Sequence, residues 1–127
     1  MAKHTFSREE RLKKEKIIKE LFEKGSSFFS YPFKIHFILD QPAGSVSQVM
    51  FSVSSRNIKK AVERNRVRRR MREAYRLQKD LLAVHPSVYI AFVYTQKSSL
   101  PYELIRTGIK KALVRISENQ SARDKIS

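Results

Sequence analysis

Between Glu63 and Arg76 the chain reads ERNRVRRRMREAYR, seven arginines set around a sparse apolar stripe. At 100° per residue, Val67, Met71, Ala74 and Gln78 fall within about 60° of arc, with Leu81 and Leu82 beside them. The segment is therefore predicted to be a helix whose narrow back rests on a core. Asn65, Arg68, Arg69, Arg72 and Arg76 land on the opposite side, Arg66 and Arg70 on its flanks, and Lys59 and Lys60 extend the positive field ahead of the first turn. From Arg56 to Arg76 there are ten basic and two acidic residues, a net of +8 within a chain whose total is +15. So one-sided a helix needs a folded body behind it, and the rest of the sequence must supply one.

A helix face that only meets water usually mixes signs, because Glu and Lys four apart stabilise each other by a few tenths of a kcal/mol. Arg64, Arg68, Arg72 and Arg76 instead form a like-charge ladder at that spacing, which weakens the free helix. A polyanion outside the fold is the natural compensation, a nucleic acid first and an anionic membrane surface behind it. Arginine in place of lysine favours bidentate contact with phosphate, and Asn65 adds an amide that both donates and accepts toward a sugar or base.

The 127 residues suffice for one domain, and a 41% aliphatic and aromatic content argues against a disordered basic tail. Ser7 and Glu10 form an S-x-x-E capping box with Phe6 placed as a hydrophobic staple, which predicts a first helix over about residues 8 to 24, closed by Gly25. FKIHFIL, from Phe33 to Leu39, alternates Phe33, Ile35, Phe37 and Leu39 against Lys34, His36 and Ile38, a half-buried strand. A further strand is available before it in SSFFSY. DQPAGS, residues 40 to 45, reads as a turn, and SQVMFSVSS after it alternates Val49, Phe51 and Val53. The simplest expectation is an antiparallel hairpin of these two runs. VYIAFVY, Val88 to Tyr94, suits a central strand covered on both faces. A last helix starting near Pro101 carries Leu104, Ile105, Ile109, Ala112, Leu113 and Ile116 on one stripe. The expected core covers about residues 7 to 117, followed by a polar, flexible tail over about 118 to 127.

Several chemistries are poorly supplied. There is no cysteine, and His4, His36 and His85 lack ligand-like spacing. Asp40, Asp80 and Asp124 are scattered, a poor basis for a protein-built two-metal nuclease centre. Glu63 and Glu73 stand about 80° apart on the arginine helix and read as moderators of charge more than as a general acid and base. No leucine heptad follows Arg76 to dimerise a basic DNA-binding helix. Neither a signal peptide nor a membrane span is visible, so a soluble, cytoplasmic protein is expected.

RNRVRRRMREAYR resembles the arginine-asparagine-arginine signature of the protein component of bacterial ribonuclease P. RLKKEKIIKELFEKG, FSVSSR followed by KKAVERNR, and VYIAFVY with its amphipathic C-terminal helix resemble the family's other segments in the same order. The resemblance implies a single α-β sandwich domain in αβββαβα order with a left-handed crossover around the signature helix. It also implies that a large catalytic RNA is the partner and that Mg²⁺ bound by this RNA drives removal of the 5′ leader from precursor tRNA, the protein itself supplying no catalytic residue. Residues Lys59, Lys60, Arg64, Asn65, Arg66, Arg68, Arg69, Arg72 and Arg76 would then dock on the catalytic RNA. A cleft between the first helix and the sheet would hold the single-stranded leader, with Ile18, Phe22, Lys34, His36, Ser52 and Ser54 as its candidates. The chain departs from the family pattern in having Ile18 at a usual aromatic position, His36 at a frequent tyrosine, a longer approach with Lys59 where glycine is common, and no arginine from Tyr94 to Lys97. The alternative from another class is a structural, ribosome-associated RNA-binding protein; the oligomeric state is left open.

Overall fold

The structure, a computed structural model, describes residues 6–39, 46–82 and 87–126, with side chains as far as 119. His4, His85, Asp40 and the expected turn at 40–45 lie outside the described residues. The elements are α1 (Glu15–Lys24), β1 (Ser26–Ser30), β2 (Phe33–Ile38), β3 (Gln48–Ser52), α2 (Ala61–Gln78), β4 (Tyr89–Tyr94) and α3 (Tyr102–Ile126). This is the αβββαβα order, a single α+β domain around a four-stranded sheet.

The expected first helix is shorter than its spacing suggests. The Ser7 N–H does donate to Glu10 Oε1 at 3.0 Å, but the box holds only a short 3₁₀ turn, Arg8–Glu10. Immediately afterwards Arg11 bridges Val49 in parallel register and the Leu12 N–H donates to the Val49 carbonyl, so the backbone there is extended. Leu12 is buried by joining the sheet, and α1 begins only at Glu15. Phe6 leaves the expected staple position to pack edge-on against Phe51 and Tyr75, with the Arg11 guanidinium 5.5 Å from its ring. Gly25 does close α1, its N–H donating to the Leu21 carbonyl at 3.0 Å.

The strand alternation holds while the expected hairpin does not. The sheet order is β1-β2-β4-β3: β2 lies antiparallel between β1 and β4, and β3 runs parallel to β4 on the far edge. The 33–39 and 47–55 runs are therefore not neighbours, and the β3–α2–β4 connection is a parallel crossover carried by the arginine helix. β4 is the central strand expected of VYIAFVY, with Ile90, Ala91, Phe92 and Tyr94 buried.

Register places Phe28, Ile35, Phe92 and Phe51 in one cross-strand row on the face that α2 and α3 cover. Val67, Met71, Ala74, Tyr75 and Gln78 are the buried back of α2, Tyr75 being an addition to the predicted stripe. Leu81, predicted beside that stripe, is exposed. On α3 the stripe Ile105, Ile109, Ala112, Leu113 and Ile116 is buried, whereas Leu104 is exposed. The helix backbone continues past Ser117 to Ile126, and Ile116 is the last buried side chain among the described residues. No helix among the described residues is long and apolar enough to cross a membrane.

The other face carries α1. Leu12, Leu21 and Ala91 form a small second core flanked by Ile17, Ile18, Ile38, Met50 and Tyr89. α1 thus covers the Ala91 part of the sheet. One row further along, Phe29, Lys34, Val93 and Ser52 stand in register across all four strands with nothing buried among them.

Candidate nucleic-acid interface

The arginines of α2 divide by what their guanidiniums reach. Arg64 is turned back on the approach to the helix, its Nη1 donating to the Ile58 carbonyl at 2.9 Å and the Lys59 carbonyl at 2.7 Å. Arg70 donates from Nη1 to the Leu100 carbonyl at 2.7 Å, tying α2 to the loop ahead of α3. Both stand at the margins of the apolar stripe, where a long side chain reaches backbone carbonyls that an axial projection does not show. Arg76 pairs with Glu73 at 2.6 Å, and this hydrogen bond holds the Glu73 carboxyl below its ordinary pKa. The predicted ladder of four is thereby reduced to Arg68 and Arg72.

Arg68 donates to Asn65 Oδ1, which fixes the two side chains against each other, and its other guanidinium donors have no protein partner among the described residues. Arg66, Arg69 and Arg72 have no hydrogen-bond or ion-pair partner among the described residues. Burial, and then the charges of Arg11, Arg68 and Arg69, depress the Arg72 pKa below its ordinary value. Arg11 is a residue of this cluster that helical projection missed, because it was assigned to the first helix; its bridge to Val49 delivers it beside α2 instead. Several guanidiniums thus converge, with no carboxylate among the described residues acting on Arg72, an arrangement that suits a phosphate backbone. Lys59 and Lys60 are exposed at the start of α2 and extend the same field.

The second set of predicted residues meets on the α1 face. Phe22 is 41% exposed and its ring centroid lies 4.5 Å from that of His36, so it stands at the surface and not in the core. Burial, and then the adjacent Lys34 ammonium, hold the His36 pKa below 6.5. Lys34 and Ser52 occupy the uncovered row. Ile18 is half-buried and packs against the small α1 core. Ser54 lies past the end of β3, where its hydroxyl accepts from the Asn57 N–H at 3.2 Å and its carbonyl from the Ile58 N–H, shaping the turn into α2. Phe22, His36 and Lys34 thus set an exposed ring beside an ammonium on the open face of the sheet, a combination that suits base stacking with phosphate contact.

Among the described residues no group of three or more His, Cys, Asp or Glu side chains could hold a metal ion. Glu10, which faces α2, is committed to the fold: both its oxygens accept from Lys79 Nζ, at 3.1 and 2.9 Å.

Comparison with known proteins adds an independent line. The sequence profile of the family described as Ribonuclease P matches residues 6–117. A ribonuclease P protein component of Porphyromonas gingivalis is 33% identical, the alignment covering 89% of this chain and 87% of the relative. One from Chlorobium phaeobacteroides is 32% identical with 91% of each covered. Two solved structures share the fold: the Staphylococcus aureus RNase P protein, at a TM-score of 0.71 and 20% identity over 87% of this chain and 97% of that one, and the Thermotoga maritima RNase P protein, at 0.71 and 23% over 84% and 97%.

Proposed function

Because the chain belongs to the bacterial ribonuclease P protein family, we propose that it seats itself on the catalytic RNA through α2 and holds the 5′ leader of precursor tRNA on the open face of its sheet. The observation that carries the first half is the convergence of Arg11, Arg68, Arg69 and Arg72, with Arg69 and Arg72 unpartnered among the described residues. Each phosphate that such a cluster neutralises releases counterions, which makes assembly salt-dependent. Arg64, Arg70 and Arg76 support this surface by fixing the helix and its neighbours, whereas Asn65, Arg66, Arg68, Arg69 and Arg72 meet the RNA, with Lys59 and Lys60 at one end.

The second half is carried by Phe22, whose exposed ring against His36 gives a base a surface to stack on, and by Lys34, whose ammonium meets the phosphates. Mg²⁺ held by the RNA supplies the hydrolytic chemistry. This chain binds, orients and neutralises, and no residue of it touches the reacting phosphate. We place the protein in the cytoplasm, with the RNA it is proposed to serve.

Recovery of RNA with the tagged full-length chain from a bacterial lysate tests the assignment. One large catalytic RNA is expected, enriched over ribosomal RNA, and lost when Arg68 and Arg72 are replaced by alanine. Ribosomal RNA alone, unaffected by those changes, would identify a structural ribosome-associated protein instead.

A further inference from the structure

Two aromatic side chains stand at the outer edge of the sheet, Phe29 on β1 and Tyr31 in the turn just after it, away from α2 and beyond the residues predicted for the leader. Phe29 is 56% and Tyr31 50% exposed, with ring centroids 6.5 Å apart. Scattered surface rings are ordinary; these two are not scattered. Together with Leu104 they wall a cavity of about 390 Å³ between β1 and α3, and the other side of that cavity carries Lys111 and Arg115. Among the described residues no carboxylate lines it.

Arg115 is already positioned. Its guanidinium carbon sits 4.4 Å from the centroid of the Phe28 ring, and it has no hydrogen-bond or ion-pair partner among the described residues. A second cavity, of about 340 Å³, lies along the same edge, sharing Phe28 and Arg115 with the first and lined by the Ser26 and Ser27 side of β1. The edge therefore offers an apolar, aromatic compartment on one side of a fixed cation and hydroxyl-rich backbone on the other. A planar base with a phosphate attached has this polarity, and an apolar peptide does not.

The strand register connects this edge to the open face. Phe29 stands directly opposite Lys34, and Lys34 is two residues along β2 from His36. Cross-strand partners point to the same face, so Phe22, His36, Lys34 and Phe29 follow one another across the sheet. Phe29 also walls the β1–α3 cavity, making it the hinge between the two surfaces.

We infer that the leader of precursor tRNA continues past His36 over Phe29 into the groove between β1 and α3, where an unpaired base stacks on Phe29 and its phosphates meet Lys111 and Arg115. This extends the leader-binding reading given above and rests on it. It adds a distal subsite, one that engages only when the leader is long enough to reach the sheet edge. Stacking is tolerant of base identity, so the subsite reads length more than sequence.

The test uses holoenzyme reconstituted from a bacterial ribonuclease P RNA and the full chain, with precursor tRNAs whose leaders lengthen one nucleotide at a time. Wild-type affinity should rise with leader length and then level off. Phe29→Ala, and separately the pair Lys111→Gln with Arg115→Gln, should make it level off at a shorter leader, with a loss of roughly 5- to 30-fold on the longest leaders and none on leaderless tRNA. Phe29→Trp, which keeps a ring, should restore the wild-type profile. A length profile identical to wild type in the alanine and glutamine variants would overturn the distal subsite while leaving the α1-side surface standing. Equal weakening of every substrate, or weaker assembly with the catalytic RNA, would show that this edge faces that RNA and would also overturn it. A wild-type protein with no length dependence at all would remove the leader reading itself.

Discussion

The Phe22 ring lies 4.5 Å from the His36 imidazole, and His36 is held below its ordinary pKa by burial first and by Lys34 second. At neutral pH the neutral imidazole therefore predominates beside the Lys34 ammonium. A leader phosphate arriving beside it favours the imidazolium, so binding takes up a proton. The sign follows: leader-dependent affinity should increase as pH falls from above 7 through the His36 pKa, which lies below 6.5 in the free protein. Measured as the ratio of affinities for leader-bearing and leaderless tRNA, this increase should vanish in His36→Phe. A ratio that is flat with pH in wild type would exclude His36 from the leader's path.

The arginines of α2 predict two distinct phenotypes. Arg68→Ala and Arg72→Ala should each lower the slope of log affinity for the catalytic RNA against log salt by about one unit, with unfolding unchanged. Arg70→Ala removes a charged hydrogen bond to the Leu100 carbonyl and should cost about 1.5 to 3 kcal/mol of stability while leaving that slope alone. Denaturant titration and salt-dependent binding on the same variants separate the two. Equal salt slopes for all three would mean that the division by hydrogen-bond partner has no functional counterpart.

That division marks the limit of what one-dimensional pattern conveys. Periodicity identified the buried stripes of α2 and α3 and the inward residues Phe33, Ile35, Phe37, Val49 and Val53, because burial on one face imposes a period. It could not choose strand partners, since β3 shows the same alternation whether it pairs antiparallel with β2 or parallel with β4. Leu12 fits a helical stripe by spacing, but its N–H is drawn to the Val49 carbonyl, a contact 37 positions away in sequence. Arg64 and Arg70 are the same residue type at similar spacing as Arg68 and Arg72, and only folded backbone distinguishes an arginine that finds a carbonyl from one that finds none. Arg11, Phe29 and Tyr31 gain their significance from what the sheet brings beside them.

The Glu10–Lys79 pair fastens the N-terminal segment to the end of α2. Burial pushes the Glu10 carboxyl up, but the Ser7 N–H and the Lys79 ammonium together more than reverse this, leaving its pKa below the ordinary 4.5. A carboxylate depressed in the folded state contributes stability above its unfolded pKa and loses it as pH falls through the folded value. Glu10→Gln should therefore cost about 1.5 to 3 kcal/mol at neutral pH and flatten the fall in stability below pH 4.5. Because this segment carries Arg11 to the α2 cluster, the same variant should also weaken RNA assembly, which thermal unfolding and binding on one sample would resolve.

Gly108 sets the α3 backbone directly against the turn between β1 and β2. A Cβ built there would stand 2.4 Å from the Tyr31 carbonyl oxygen and 2.8 Å from Pro32 Cδ. Alanine favours a helix interior over glycine by about 1 kcal/mol, yet Gly108→Ala should destabilise the fold, by about 1 to 3 kcal/mol, because backbone cannot yield as a side chain does. An unchanged or raised melting temperature would mean that α3 shifts freely on the sheet.

The most direct measurement is cleavage of precursor tRNA by a bacterial ribonuclease P RNA at low Mg²⁺, with and without this chain. Wild type should stimulate cleavage strongly, Arg68→Ala with Arg72→Ala should lose the stimulation, and the chain alone should cleave nothing. Cleavage by the RNA that is indifferent to the protein at every Mg²⁺ concentration would contradict the assignment.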